Sequence, residues 1–318
     1  MMTYTEVVQE IEKKGIMPER TPSLVPIQKA LEKAGLLHSF PPERVIVVAG
    51  TNGKGSVCAS LEALLLSAGQ TTGLYTSPHL IDTTERVRWN GKTISKNDFT
   101  QSYVQIRALC LEFSLSHFET LTLLAMQFFS KIAKPDWLIL EVGLGGLWDA
   151  TNAIPHQICA ITPLGLDHQN LLGNTLEEIA RNKFGILSSN STSQQAQPTL
   201  VFHAPLPPEV KKIQKEFQSR FPNSVWSESI SPKLEVQYSE KSSFKEPEYW
   251  IKTEWGKAQI NLPGQRGADN ISLALTLFSG LGFDPHSHLE SLSRIHWPGR
   301  MQKMMSDHSS NPLRIMVS

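Results

Sequence analysis

Short apolar runs alternate with helical stripes of hydrophobic residues along most of this chain. The runs predict five strands, at residues 45–49, 72–75, 137–142, 158–162 and 199–203. Apolar residues spaced three or four apart predict the helices between and around them, at 4–14, 23–37, 57–68, 97–113, 119–133, 207–219 and 269–280, with one more beginning at Thr175. Strands that alternate with helices predict an α/β fold, with a three-layer parallel sheet covered by helices on both faces.

The pattern weakens after residue 188. Residues 188–198 are almost all polar and predict a surface loop, and alternation returns only in short segments near 234–238 and 248–260. We interpret about 188–260 as a small peripheral subdomain. The sequence Leu262-Pro-Gly264 then leads back into the main unit.

The first strand leads directly into a glycine-rich turn that carries Lys54 and Ser56. A buried strand, a glycine turn and then a helix are the setting that a phosphate-binding loop requires. The glycines let backbone N–H groups converge on an anion, and the start of the helix adds partial positive charge. Lys54 can neutralise phosphate and the Ser56 hydroxyl can bind Mg²⁺, so the turn predicts a nucleoside triphosphate site.

The sequence of this turn differs from the commonest phosphate-loop motif, in which Lys directly precedes Ser or Thr. Here Gly55 separates Lys54 from Ser56, and Val48 stands where the first glycine would be. The alternative is a strand-to-helix turn with a solvated lysine. Three glycines together with Lys and Ser after an apolar strand favour the phosphate loop.

Polar side chains occur where other predicted strands end. Glu141 lies inside an otherwise apolar strand, where an unpaired carboxylate would be costly, and His168 follows Asp167 after the next strand. Each has an ordinary alternative interpretation. Glu141 could be a core acid in a salt bridge, and His168 could be a buried histidine with its hydrogen bonds satisfied. Beside a phosphate loop, both become candidate Mg²⁺ or phosphate groups. Ser77 could add a hard oxygen ligand of the kind that Mg²⁺ prefers.

Composition narrows the class of protein. Lys plus Arg equals Asp plus Glu at 30 each, so no net charge favours nucleic acid or an anionic membrane. No apolar run is long enough for a membrane span, and the first residues lack a signal-peptide pattern. The three cysteines show no CxxC spacing and indicate reduced thiols in a cytoplasmic protein, Cys58, Cys110 and Cys159.

Seven motifs, in order along the chain, resemble those of the folylpolyglutamate synthase/dihydrofolate synthase family of Mur-type ATP-dependent amide ligases. The motifs are AGTNGKGSV (49–57), LYTSPHL (74–80), ERVRWNG (85–91), LEVGLGG (140–146), DATN (149–152), GLDHQNLLGNTLEEIARNKFGIL (165–187) and WPGRMQ (297–302). A generic nucleoside triphosphatase would not carry this series.

The resemblance implies a reaction in which ATP converts a pteroyl or folyl carboxylate to an acyl phosphate, which the amine of glutamate then attacks. It implies roles in catalysis for Lys54, His168 and Lys183. It also implies two Mg²⁺ ions, bound by Ser77, Glu141, His168 and Lys183. Lys183 would be the family's carbamylated lysine. The implied ATP-binding residues are Gly50, Thr51, Asn52, Gly53, Lys54, Gly55, Ser56, Asn270 and Arg300.

The segment 74–91 would line the pterin site and the loop that couples it to ATP. The resemblance assigns substrate binding to eight residues, Ser77, Pro78, His79, Glu85, Arg86, Asp149, Thr151 and Asn152. The partners it implies are small molecules only, namely ATP, glutamate and dihydropteroate or a folate. The family usually acts as a monomer.

Three features depart from the family's pattern. Leu147 stands where the family usually has arginine, and Arg266-Gly267 replaces a His-Gln pair that precedes the conserved Asn270. Family members also continue for roughly another hundred residues as a separate domain with a DGAHNP-like motif. We therefore expect residues 1–296 to form the ATP-binding domain and 297–318 to begin a truncated C-terminal domain.

Other functions stay open at this point. A non-catalytic protein that binds ATP or folate is the main alternative, because of the departures and the missing domain. A Mur-type ligase of cell-wall precursors is less favoured, since the SPHL and ERVRWNG segments indicate a pterin substrate. A GTPase or transport ATPase is favoured least, because no second signature of those classes is found.

Overall fold

The computed structural model describes residues 2–15, 21–188, 199–239, 246–295 and 297. One sheet of eight strands forms its centre, in the spatial order β4-β3-β2-β5-β1-β6-β7-β8. In chain order these strands are β1 (Val45–Ala49), β2 (Thr72–Tyr75), β3 (Val87–Trp89), β4 (Lys92–Thr93), β5 (Trp137–Glu141), β6 (Ile158–Ile161), β7 (Leu200–His203) and β8 (Val225–Glu228).

Helices cover both faces of this sheet. They are α1 (Tyr4–Glu12), α2 (Val25–Lys33), α3 (Lys54–Ser67), α4 (Lys96–Glu112), α5 (His117–Phe128), α6 (Gln169–Leu172), α7 (Leu176–Phe184), α8 (Lys211–Arg220) and α9 (Gly264–Gly280). A second sheet has the order β11-β10-β9, formed by β9 (Lys233–Ser239), β10 (Glu246–Thr253) and β11 (Gly256–Ile260).

Alternate side chains of the central strands enter two separate cores. In β1, Val45 and Val47 belong to the core that includes residues of α1, α2, α4, α5, α7 and α8, whereas Ile46 and Val48 belong to the core that includes residues of α3 and α9. The small sheet and a 3-10 helix at Pro285–Arg294 extend the second core. Because both faces are buried, the central strands read as continuous apolar runs rather than as alternating ones. The predicted three-layer α/β architecture is confirmed.

The sheet is not wholly parallel. β2, β5, β1, β6, β7 and β8 are parallel, but β3 pairs antiparallel with β2 and β4 with β3. The sequence indicated only a turn at Asn90-Gly91, with no strands around it. The strands β3 and β4 are three and two residues long, too short to give a periodic signal.

The second sheet is smaller than the peripheral subdomain of 188–260 that the pattern suggested. β7 and β8 continue the main sheet, with α8 between them in the chain, and the separate sheet consists of β9, β10 and β11. Helix α9 starts at Gly264, five residues before its predicted start, and the helix predicted to reach residue 133 changes to a π-helical turn at Phe129–Ala133. Within the described ranges, no helix is both long and apolar enough to cross a membrane.

Burial at the centre of the sheet predicts a large packing cost for truncation there. Leu140 of β5 is fully buried, whereas Leu111 on α4 is 55% exposed. We expect Leu140→Ala to lower the free energy of unfolding by about 2–5 kcal/mol, through lost burial and the cavity it leaves. Leu111→Ala is the matched control. Urea unfolding followed by circular dichroism measures both, and equal effects would contradict the assigned core.

Candidate functional site

Four neighbouring parallel strands, β2, β5, β1 and β6, bring the loops after their carboxyl ends to one edge of the sheet. The register places Val48 beside Glu141 and Ala49 beside Ile161. The loops at 76–79, 142–146, 50–53 and 162–168 therefore start side by side. Ligands of parallel α/β sheets bind at this edge, so the structure gathers the loops that the sequence singled out.

The turn after β1 leaves no space for a side chain at either of two glycines, Gly50 and Gly53. A Cβ on Gly50 would lie 2.0 Å from the Thr162 hydroxyl oxygen, and a Cβ on Gly53 would lie 2.2 Å from Oδ1 of Asn270. Both glycines also have positive φ, of 142° and 88°. The backbone can follow this path only with glycine at both positions. Asn270 of α9 thus packs directly on the turn, next to the predicted nucleotide site.

Hydrogen bonds fix the first half of the turn to the loop after β6. The N–H groups of Thr51 and Asn52 both donate to the carbonyl oxygen of Pro163, at 3.1 and 3.3 Å. The Thr51 hydroxyl donates to the Gly165 carbonyl and accepts from the Gly165 N–H. Helix α3 starts immediately afterwards, and its first N–H groups have no partner within the helix. These N–H groups are available to bind an anion.

Two lysines meet at one backbone oxygen of this turn. Nζ of Lys54 donates to the Gly50 carbonyl at 3.1 Å, and Nζ of Lys183 donates to the same oxygen at 2.9 Å. Lys183 lies on α7 and is only 2% exposed. Burial, and then the neighbouring charge of Lys54, lowers the pKa of Lys183 to about 8. A substantial fraction of this amine is therefore neutral near physiological pH.

Glu141 ends β5 and is 3% exposed. One of its carboxylate oxygens accepts the N–H of Ser77 at 3.0 Å, so the structure brings these two predicted Mg²⁺ ligands together. Mg²⁺ prefers oxygen ligands, and a buried carboxylate next to a serine supplies them. The neighbouring strand β1 leads into the turn before α3, so the predicted phosphate site is adjacent.

His168 lies on the rim of this edge. Its side chain is 54% exposed, and Nε2 lies 3.6 Å from the carboxylate of Asp167. The part of the chain that the structure describes contains no group of three or more His, Cys, Asp or Glu side chains placed to bind a metal. Of the four predicted Mg²⁺ ligands, only Glu141 and His168 are residues of these four types. The metal-binding role of the four therefore stays a prediction.

The loop between β2 and β3 holds the predicted substrate residues. Glu85 accepts the N–H groups of Leu80, Ile81 and Asp82, which closes the loop into a compact turn. Nε of the buried Arg86 donates to Nδ1 of His79 at 2.8 Å. Burial, and then the charge of Arg86, lowers the pKa of His79. The turn is thus a fixed surface rather than a loose connection. Pro78 on the same loop is exposed.

Asp149, Thr151 and Asn152 are almost completely buried. The Asp149 carboxylate accepts N–H groups from Gly143 and Leu144, together with the N–H and hydroxyl of Thr151. Nδ2 of Asn152 donates to carbonyl oxygens of the chain around it. All three residues therefore brace the glycine loop after β5 in this structure. Their predicted contact with substrate stays a prediction.

Sequence reasoning missed several contacts that shape the site. The backbone oxygen of Pro163 and the side chain of Thr162 border the phosphate turn, and neither belongs to a polar motif. The pairing of Glu62 on α3 with Arg88 on β3, at 2.8 Å, was also unexpected. Such contacts join residues far apart in the chain, and no local pattern could have revealed them. Arg300, predicted to bind ATP, lies outside the described residues.

Comparisons with known proteins agree with this geometry. Residues 48–278 match the family model of the Mur ligase middle domain. A dihydrofolate synthase/folylpolyglutamate synthase of Buchnera aphidicola is 33% identical over 304 residues, which cover 94% of this chain and 67% of that protein. The chain therefore spans about two thirds of the length of this relative.

Two solved structures have the same fold. A Mycobacterium tuberculosis folylpolyglutamate synthase complexed with ADP has a TM-score of 0.80 and 28% identity, over 96% of this chain and 68% of that one. Escherichia coli FolC in complex with DHPP and ADP has a TM-score of 0.74 and 27% identity, over 95% and 68% of the two chains. The family match covers the phosphate turn, Glu141, Lys183 and Asn270. The chain therefore belongs to the Mur ligase family of ATP-dependent ligases, among the dihydrofolate and folylpolyglutamate synthases.

Proposed function

We propose that this chain binds ATP and a pteroyl or folyl substrate, as part of a ligase that adds L-glutamate to dihydropteroate, to a (tetrahydro)folate, or to both. The observation that carries the proposal is the convergence of Lys54 and Lys183 on the Gly50 carbonyl, within a turn shaped by Gly53 and Asn270. The ADP and DHPP bound by its structural relatives support both ligand classes.

The turn and Lys54 act on the triphosphate. The free N–H groups at the start of α3 and the ammonium of Lys54 hold the β- and γ-phosphates, so that the γ-phosphoryl group faces the substrate carboxylate. Lys54 now donates to the Gly50 and Thr51 carbonyls, and phosphate oxygens replace these acceptors on binding. Phosphoryl transfer needs positioning and charge neutralisation rather than a nucleophilic side chain. The carboxylate attacks the γ-phosphorus and ADP leaves. The amine of glutamate then attacks the acyl carbon, the bond to the phosphate oxygen breaks, and inorganic phosphate and a proton leave the new amide.

Glu141 and Ser77 would hold Mg²⁺ at the end of β5, and His168 a second ion. Bound there, Mg²⁺ would neutralise charge on the transferring phosphate. Glu141 is already fixed toward this position by the N–H of Ser77. Ser77 also begins the segment that carries His79 and Arg86, so the same loop serves the phosphate site and the substrate site. Arg300 belongs to the proposed ATP site by its motif alone.

Lys183 would be carbamylated, and its carbamate would then help to bind Mg²⁺. The neutral amine attacks CO₂, a C–N bond forms, and a proton leaves to solvent. The product is an anion that suits Mg²⁺, whereas the ammonium would repel it. Burial and the charge of Lys54 favour the neutral amine that this step requires.

The assignment of the phosphate loop predicts the effect of removing Lys54. We expect Lys54→Ala to abolish detectable binding of a non-hydrolysable ATP analogue with Mg²⁺, because this ammonium supplies the full positive charge of the turn. Isothermal titration calorimetry measures the binding, with the exposed Lys131→Ala as the control. Binding by Lys54→Ala as tight as in the wild type would refute the phosphate-loop assignment.

The carbamate predicts a pH-dependent signal. With a pKa of about 8, Lys183 has a larger neutral fraction at pH 9 than at pH 7. We expect ¹³C-labelled bicarbonate to give a carbamate resonance in the NMR spectrum that is stronger at pH 9 and missing in Lys183→Arg. Lys134→Arg, an exposed substitution, is the control. A spectrum of the wild type without this resonance at pH 9 would exclude the modification.

Product detection tests the ligase itself. The 318-residue chain would receive ATP, Mg²⁺ and glutamate, with dihydropteroate in one tube and tetrahydrofolate in another. We expect mass spectrometry to find a product heavier by one glutamyl unit, and the tube that yields it identifies the acceptor. ATP binding without product in either tube would instead favour the non-catalytic alternative.

A further inference from the structure

The indole of Trp297 lies against the first turn of α3. A Cβ placed on Gly55 would be 2.6 Å from Cζ2 and 3.1 Å from Nε1 of this indole. Real Cβ atoms do not approach carbon so closely, so the contact requires glycine at position 55. This accounts for the unusual glycine between Lys54 and Ser56. Gly55, which departs from the common phosphate-loop motif, is therefore the residue that Trp297 contacts.

A second neighbour of the indole is Arg88 of β3. The guanidinium carbon of Arg88 lies 5.8 Å from the centre of the Trp297 ring, within the range of a cation–π interaction. Nη2 of Arg88 forms an ion pair with Glu62 of α3 at 2.8 Å, and Glu62 is only 1% exposed. Glu62 also accepts the N–H of Gly91 in the turn after β3.

These contacts form a closed ring. Gly55 and Glu62 belong to α3, Arg88 belongs to β3, and Trp297 fills the space between them. The ring connects three parts of the chain, namely the phosphate turn, the strand that follows the predicted substrate loop, and the segment beyond the 3-10 helix that ends at Arg294. Asn261 secures that segment nearby, since its Nδ2 donates to the carbonyl of Ile295 at 3.2 Å.

We propose that Trp297 is a positioning residue of the nucleotide site, which fixes the first turn of α3 by packing between Gly55 and Arg88. Glycine is a poor helix former, and Gly55 lies where the N–H groups must hold phosphate. The indole supplies the packing that a side chain at position 55 would otherwise provide. The proposal rests on the proposed function, because it assumes that this turn binds ATP.

The first experiment measures binding of a non-hydrolysable ATP analogue with Mg²⁺ by calorimetry. We expect Trp297→Ala to weaken binding about tenfold. Trp297→Phe should bind nearly as tightly as the wild type, since a smaller aromatic ring still packs on Gly55. Trp148→Ala, which removes a 47% exposed indole, should leave binding unchanged. Unchanged or tighter binding by Trp297→Ala would overturn the proposal; tighter binding would mean that the indole occupies nucleotide space.

A second experiment tests the contact through thermal unfolding of the nucleotide-free protein. We expect Gly55→Ala to lower the midpoint when Trp297 is present, because the methyl group meets the indole. In the Trp297→Ala background the same substitution should raise the midpoint, because alanine favours a helix over glycine. In the Trp148→Ala background it should still lower it. Effects of Gly55→Ala that are equal in all three backgrounds would overturn the proposal.

The two measurements separate failure of this inference from failure of the proposed function. A wild-type chain that binds no nucleotide would refute the proposed function, and with it the positioning role. Wild-type binding that is insensitive to Trp297→Ala would refute the positioning role alone. A reversal of sign in the unfolding experiment shows that Trp297 and Gly55 are in contact, whatever the nucleotide result.

Discussion

The close packing of the turn after β1 is the constraint on which the site depends. Thr162 and Asn270 approach the Cα atoms of Gly50 and Gly53 so closely that neither glycine could carry a side chain. These contacts tie the phosphate turn to β6 on one side and to α9 on the other. The turn is therefore set by the whole sheet, and an incoming phosphate need not organise it. Such preorganisation reduces the free-energy cost of binding a charged ligand.

The same packing concentrates positive charge. Lys54 and Lys183 share one carbonyl oxygen, and within the described chain neither forms an ion pair. Two ammonium groups at one oxygen repel each other. The pKa of Lys183 is lowered by burial first and then by this repulsion. A bound anion, or conversion of Lys183 to an anion, relieves it. Strain of this kind is typical of functional sites, where local stability is given up for binding. The chain has no net charge, so a phosphate is attracted by local groups such as these lysines and the N–H groups at the start of α3.

The long buried elements of this protein could be predicted from the sequence because their patterns are local. The bounds of β1 and β2 were predicted without error. β1 is an unbroken apolar run that ends at a glycine turn, and β2 is a short segment with Thr, Leu and Tyr between a glycine turn and the Ser77-Pro78 loop. The glycine turn and Lys54 were recognised for the same reason. The antiparallel hairpin of β3 and β4 was not predicted, because its strands are only three and two residues long and include the charged residues Arg88 and Lys92. The Trp297–Gly55 contact could not be predicted, because it joins positions that are far apart in the chain.

The departures from the family's motifs differ in their physical meaning. Gly267 lies in the first turn of α9, where a Cβ would be 2.5 Å from the Leu262 carbonyl oxygen, so the close approach of the backbone now excludes any side chain. Leu147 packs its backbone and Cβ against Gly185, directly after α7, which carries Lys183. Gly267 thus allows close backbone packing at the start of the helix that carries Asn270, and Leu147 joins the glycine loop to the end of α7. Both positions therefore support helices that carry residues of the proposed nucleotide site, Asn270 on α9 and Lys183 on α7.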